Sequence, residues 1–261
     1  MINVIIPIHR VDKRIRELFQ TCVDSLKNQT NKDFAVTVVY SNSSIKDKVD
    51  EFVKGCEYGE LNVTFLENTG NSDFASQINL AASTVKEEYI SVVELDDEVS
   101  AMYVENVMKH INAYPEIDTF LPIVVDTDTK GEFIAFTNES VWAMNLTETI
   151  GYLDNESLKA YENYQTSGMV IKTETFNEIG GFKSNLVLSF SYEFLLRLTH
   201  NGKSVYVIPK LIYRHMNLRS GSLFWEYKNE LSPEEAKFWM ETAKKEYFFK
   251  EDREISYELQ D

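Results

Sequence analysis

The sequence predicts an α/β protein built on a parallel sheet with helices on both faces. Three observations carry that expectation. Short apolar runs alternate with longer segments of helical spacing through the first hundred residues. The runs are apolar at successive positions rather than at every second one, as strands buried on both faces must be. The composition is that of an ordinary globular chain, 43% hydrophobic and 26% charged in 261 residues, which excludes disorder, collagen and coiled coil and leaves room for one large domain.

Each element has its own signal. Asn3–Ile8 is β-branched and apolar and reads as a buried strand. Val11–Asn28 places Ile15, Leu18, Phe19, Cys22, Val23 and Leu26 at helical spacing. Phe34–Tyr40 is a second apolar strand, closed by the turn-forming Ser41-Asn42-Ser43-Ser44. Ile45–Gly55 reads as a short charged helix, Leu61–Leu66 as a third strand, and Asn68-Thr69-Gly70-Asn71 as a turn. Ala75–Val85 is helical in pattern and Tyr89–Leu95 is a fourth buried strand.

The second half is less regular. A helix over Ala101–Tyr114 must stop before Pro115. Thr119–Val125, Glu132–Phe136, Gly168–Lys172 and Ser204–Ile208 read as strands. Thr173–Ile179 and Tyr192–Asn201 read as helices, ending at Gly180-Gly181 and Gly202. Pro233–Phe249 is amphipathic, with Ser232 as N-cap and Glu235 completing a capping box. No repeat or Pro-rich linker divides the chain.

Charge narrows the function. Asp and Glu total 42 against 26 Lys and Arg, a formal net charge of −16. Binding to nucleic acid rests on cationic contacts to phosphate, so a generic polyanion binder is excluded, although a local basic groove is not. Cys22 and Cys56 lack metal or redox spacing and read as free thiols. With no charged-then-apolar leader and no membrane-length apolar run in the sequence, the expectation is a cytoplasmic protein.

The densest chemistry lies at the end of the fourth strand. Glu94, Asp96, Asp97 and Glu98 are four acids in five residues. In parallel α/β sheets, ligands bind beyond the carboxyl ends of the strands. Carboxylates crowded there repel one another unless a cation joins them, and oxygen ligands suit Mg²⁺ or Mn²⁺ with phosphate oxygens completing the shell. A solvated acidic turn is the alternative.

Six segments in order then resemble the family-2 glycosyltransferases of the GT-A fold, a single Rossmann-like mixed (mostly parallel) sheet flanked by helices, within the nucleotide-diphospho-sugar transferase superfamily, over about residues 2 to 222. They are Val4-Ile5-Ile6-Pro7-Ile8-His9; Cys22 to Gln29 with Ser25-Leu26; Tyr40-Ser41-Asn42-Ser43-Ser44; Asn68, Gly70, Ala75 and Asn79; Val93-Glu94-Leu95-Asp96-Asp97, in the place of L-D-x-D-D; and Ser167-Gly168 with Phe176 to Phe182, which ends on Gly180-Gly181-Phe182. The resemblance implies a nucleotide-sugar-binding half over 1–100 and an acceptor half over 101–222; the amphipathic pattern beyond it reads as a helical extension over 223–261 packed on them.

The resemblance also implies roles. Pro7, His9, Ser41, Asn68, Asn79, Glu94, Leu95 and Asp96 would bind the nucleotide sugar, with UDP as the nucleotide. Ser41 stands where the family has a base-binding Asp, and its hydroxyl is a weaker acceptor. Asp96 would hold a Mn²⁺ or Mg²⁺ on the diphosphate, joined by His215. Arg219-Ser220-Gly221-Ser222 would cover the diphosphate. The family's Glu-Asp pair, which supplies the general base of inverting members, falls on Phe190-Ser191. Three readings follow: Glu193 has become the base, Asp97 or another acid serves, or the chain is a non-catalytic binder of nucleotide sugars or glycans. Glu193 is preferred, with a surface ion pair to Arg197 at i, i+4 as its structural alternative. The expected acceptor is a glycan or, less usually, a hydroxymethylated base of phage DNA. The acceptor half is rich in aromatics, Phe133, Phe136, Trp142, Tyr152, Tyr161, Tyr164, Phe190 and Tyr192, and the last helix could wall the acceptor site or join two copies as a homo-oligomer.

Overall fold

The computed structural model describes residues 1–9, 14–41, 49, 51–53, 55–139, 151–217, 219, 222, 225 and 229–257. Asn42 to Ser44, most of the helix expected over Ile45–Gly55, Trp142, Ser220 and Gly221 lie outside these residues. The elements in chain order are β1 (Ile2–Ile8), α1 (Ile15–Lys27), β2 (Phe34–Ser41), β3 (Val63–Asn68), α2 (Phe74–Thr84), β4 (Tyr89–Val92), β5 (Glu98–Val99), α3 (Tyr103–Ala113), β6 (Thr119–Thr127), β7 (Phe133–Thr137), β8 (Gly151–Leu153), α4 (Asn155–Ala160), β9 (Val170–Lys172), α5 (Thr173–Glu178), α6 (Phe190–His200), β10 (Val205–Met216) and α7 (Pro233–Glu246).

The strands form one sheet in the order β3-β2-β1-β4-β9-β6-β10-β5, with β7 on β6 and β8 on β10. β3, β2, β1 and β4 are parallel to their neighbours. β9 runs antiparallel between β4 and β6, and β6 is again parallel to β10. The apolar runs are continuous because both faces are covered. Ile2, Val4, Ile6 and Ile8 join the core beneath α1 and α3, whereas Ile5 joins the core beneath α2, α5 and α6. That is the two-residue side-chain period of a strand working between two helical layers.

Pro7 sits inside a central strand, a position usually closed to proline because it cannot donate to the ladder. Here the neighbour has already left. β4 pairs β1 only as far as Ile5↔Val92, and Val93 N donates the last bond to Ile5 O at 3.0 Å. Pro7 points its missing donor to that same side, one step beyond. The proline marks where the cleft opens.

Several boundaries differ from the sequence expectation. β4 ends at Val92 rather than Leu95, because the next residues bend into a turn closed by Asp97 N donating to Glu94 O at 3.1 Å. The last strand runs through Met216 rather than stopping at Ile208, with a register shift between Ile208 and Ile212 that absorbs Pro209. α7 ends at Glu246, three residues early. Its capping serine is in place, with Ser232 Oγ accepting from Glu235 N at 3.1 Å. α7 packs on α6, and its Ala243, followed by Tyr247, enters the second core. Among the described residues no helix is long and apolar enough to cross a membrane.

Candidate active site

The acidic turn between β4 and β5 is fastened to the end of β10. β5 pairs antiparallel with it through Val99↔Tyr213 and Glu98↔Arg214. The Tyr213 hydroxyl is the tie: it accepts from Glu94 N at 2.9 Å and donates to Asp97 Oδ2 at 2.7 Å. Tyr213 is fully buried and lies against Gly168, where a Cβ would come within 2.4 Å of the ring. Gly168 also has φ +68°, which disfavours any residue with a side chain. The glycine before β9 therefore lets the tyrosine stand under the turn. Below it, the buried Cys22 thiol reaches Glu94 O at 3.6 Å, and burial pushes its pKa well up, so it stays a thiol.

The three acids have different partners. Asp97 is 1% exposed and fully bonded, taking Met216 N on Oδ1 at 2.8 Å and the His215 ring nitrogen Nδ1 on Oδ2 at 3.0 Å. Glu94 accepts from Ser167 Oγ at 2.8 Å, and its Oε1 is 4.0 Å from His215 Nδ1. Asp96 meets Arg219 Nε at 2.5 Å. Burial, then the charge of Asp97, pushes the Glu94 carboxyl up to about 7, against the pull of His215 and Ser167. Burial and Asp97 also raise Asp96, with Arg219 opposing. Burial works to lower His215, but Asp97 and Glu94 overcome it and hold the imidazole up to about 10. The protein's own cations thus only partly offset this cluster.

That residual imbalance is what a divalent cation would relieve. Glu94, Asp97 and His215 bring one ligand atom each within 4.8 Å of one another. Two carboxylates and an imidazole fit Mn²⁺, and the carboxylates suit Mg²⁺. The cluster joins His215 to Asp97 and Glu94, while Asp96, the ligand expected from the sequence, is turned to Arg219.

Beside this cluster lies a cavity of about 470 Å³, within the size range of small-molecule sites. His9, Glu94, Asp96, His215 and Arg219 line it from the strand ends; Phe74, Leu188, Phe190 and Ser191 from α2, the segment before α6, and α6 itself; and Leu231, Pro233, Ala236 and Met240 from α7 and its approach. Of the sequence-derived candidates, His9, Glu94, Asp96 and His215 come together here.

The others stand elsewhere. Glu193, the preferred base, does not line the cavity: its side chain is 0% exposed and sealed between Arg197 (Nε 2.8 Å, Nη2 3.0 Å) and Lys183 (3.1 Å). The i, i+4 pair exists, but it is buried rather than on the surface. Arg197 goes on to donate to Ile179 O and Gly181 O, and Lys183 to Glu246 O. Asp97 is likewise no free base, since both its oxygens are taken. Asn79 does not face the cavity. It grips the Gly180-Gly181-Phe182 bend, donating to Phe182 O at 2.7 Å and accepting from Phe182 N at 2.8 Å. Asn68 organises its own turn through Asn71 O and Gly70 N, and stands in register with Ser41 at the carboxyl ends of β3 and β2. Leu95 points into the core, and Pro7 is buried in β1. Ser191 lines the cavity where an acid was expected.

Sequence reasoning missed Tyr213 and Ser167 as partners of the acids, and neither carries a local signal: they lie 119 and 73 residues from Glu94. Of the aromatics, Phe133, Phe136, Tyr152 and Tyr161 are exposed, while Tyr164 and Tyr192 are buried and line the cavity with Phe190.

Comparison with known proteins follows the same map. A family model described as glycosyl transferase family 2 matches residues 3–176. An uncharacterised glycosyltransferase of Methanocaldococcus jannaschii is 22% identical over 193 residues, covering 74% of this chain and 63% of that protein. The glycosyltransferase GlyA of Streptococcus pneumoniae is 29% identical over 115 residues, 43% of this chain and 15% of the relative. Among solved structures, residues 1–349 of S. aureus TarS in complex with UDP-GlcNAc superpose with a TM-score of 0.66 at 16% identity, over 93% of this chain and 65% of that one. GalNAc-T7 with UDP, GalNAc and Mn²⁺ gives 0.59 at 15% identity, over 85% and 44%. The chain thus spans under two thirds of the length of these proteins.

Proposed function

The chain belongs to glycosyl transferase family 2, and from that premise we propose that it moves a sugar from a UDP-sugar to an acceptor hydroxyl with inversion, with the help of a divalent metal. One observation carries the reading: the acids after β4 meet a histidine and an arginine from the end of β10 in a cavity at the carboxyl ends of the strands. That is where an open α/β sheet binds its ligand. UDP-bound relatives of the same fold support UDP as the nucleotide.

In the step itself, the acceptor oxygen bonds to the anomeric carbon as the bond from that carbon to the diphosphate oxygen breaks. UDP leaves with the electron pair, and the acceptor proton goes to a carboxylate or to water. Glu94, Asp97 and His215 would hold Mn²⁺ or Mg²⁺, whose contribution is Lewis-acid stabilisation of the departing diphosphate. Arg219 adds a guanidinium suited to phosphate oxygens. Ser167 and Tyr213 fix the Glu94 side chain and backbone, so the charged groups need no rearrangement when charge develops. The acids among the described lining are Glu94, Asp96 and Glu162, and the proton acceptor is sought among them.

A second reading, a non-catalytic binder of nucleotide sugars, is favoured by Phe190 and Ser191 at the expected base position and by the sealing of Glu193. UDP release from UDP-sugars with Mn²⁺ separates the two. Turnover that EDTA removes and Mn²⁺ restores, lost in Asp96→Ala and yielding an inverted anomer by NMR, is the expected result. UDP binding without turnover leaves the second reading standing, and no UDP binding at all sinks both.

A further inference from the structure

The cavity has two chemically distinct parts. The polar part is the bonded cluster of Glu94, Asp96, His215 and Arg219. Further polar lining comes from Asn163, Gln165, Thr166, Ser167 and Ser222, and the other part is an apolar wall of Phe74, Leu188, Phe190, Leu231, Pro233 and Met240. The wall is rigidly backed: Phe74 packs on Phe190 at 5.6 Å, and Phe190 on Phe182 at 5.4 Å. Three hydroxyls that stand among these residues are turned to the protein. Ser191 Oγ bonds Thr166 at N and Oγ1, at 2.8 and 2.9 Å. Tyr192 donates to Leu158 O at 2.9 Å, and Ser232 caps α7. The charges nearby are paired, Glu162 with Lys244 and Arg219 with Asp96.

Among the described residues, the wall itself offers little to the ring hydroxyls of an oligosaccharide and no cationic strip to a phosphate backbone. It suits apolar surface. Resting on the transferase reading above, we infer that the acceptor is a small molecule whose hydroxyl-bearing part carries an aromatic or comparably bulky apolar body, seated against the α6 and α7 wall while the hydroxyl faces the acidic cluster. A bare glycan or a modified base in DNA is then a poor acceptor.

The test uses the full chain with Mn²⁺ and, in turn, UDP-glucose, UDP-galactose and UDP-N-acetylglucosamine. Acceptors are phenyl and methyl glycosides of the same sugar, a free oligosaccharide, and duplex DNA containing hydroxymethylated cytosine. Product mass measures transfer, UDP release without acceptor measures donor use, and saturation-transfer NMR with UDP present measures acceptor binding. The expected result is a phenyl over methyl preference of about ten- to a hundredfold in kcat/KM, with matching saturation of the phenyl protons. Met240→Glu, and separately Leu231→Ser should the first fail to fold, should reduce that ratio towards one. Donor use with equal transfer to phenyl and methyl glycosides, or with preference for the oligosaccharide or the DNA, overturns the inference and leaves the transferase reading intact. Absence of UDP binding and of UDP release with every donor overturns the transferase reading, and this inference with it.

Discussion

Two groups of acids can be set side by side: Glu94, Asp96 and Asp97 after β4, and Glu193 on α6. Both fall in segments where the family places acids, yet they do opposite work. Glu193 is closed off between two cations, each of which also donates to a backbone carbonyl of the Gly180-Gly181 bend or the end of α7. It ties α6 to α7 and to that bend, and it meets no solvent. The β4 acids share one histidine and one arginine among three carboxylates, and two of them line the cavity. A carboxylate with a surplus of cations is a fastener; carboxylates short of cations, at a cavity, are a binding site.

Mutation should break the comparison in a graded way. The largest effect on stability is expected at Glu193. Glu193→Ala leaves Lys183 and Arg197 buried without their anion, at a cost of about 3–5 kcal/mol and a fall in Tm on the order of 10 °C. Denaturant unfolding measures it, and a loss under about 1 kcal/mol would contradict the fastener role. Next comes Tyr213→Phe. It removes the hydroxyl shared by Glu94 N and Asp97 Oδ2, for about 1–3 kcal/mol, and should weaken Mn²⁺-dependent UDP binding seen by calorimetry. Unchanged UDP affinity would separate the tyrosine from the site. The smallest effect on stability is expected at Asp96. Burial and Asp97 already disfavour its charge despite Arg219, and an asparagine oxygen can still accept from the buried Arg219, so Asp96→Asn should shift unfolding by less than about 1 kcal/mol while reducing transfer. A large stability loss there would make Asp96 a second fastener.

Much of the fold was legible in the chain because it is written in local terms. β1, β2 and β4 show as apolar runs since both their faces are covered, and α1 shows by its six buried positions at helical spacing. The N-cap of α7 shows as Ser232. The weakly marked elements were missed for the converse reason: β8 and α4 span three and six residues, too short for either period to appear. Motif order singled out His9, Glu94, Asp96 and His215, and these line one cavity. The burial of Glu193 was not legible, because spacing to Arg197 identifies a pair but not its depth; the second cation, Lys183, arrives from a separate loop.

The sequence by itself determined the layered α/β architecture and the acidic turn beyond the fourth strand. Those depend on periodicity and residue type, which are properties of neighbours along the chain. Only the tertiary structure decided which acid faces which cation. Tyr213 beneath the turn, Arg219 on Asp96, Lys183 on Glu193 and α7 as the apolar wall are all contacts between distant segments. A carboxylate's chemistry is set by burial and by the charges around it, and both are created when those segments meet.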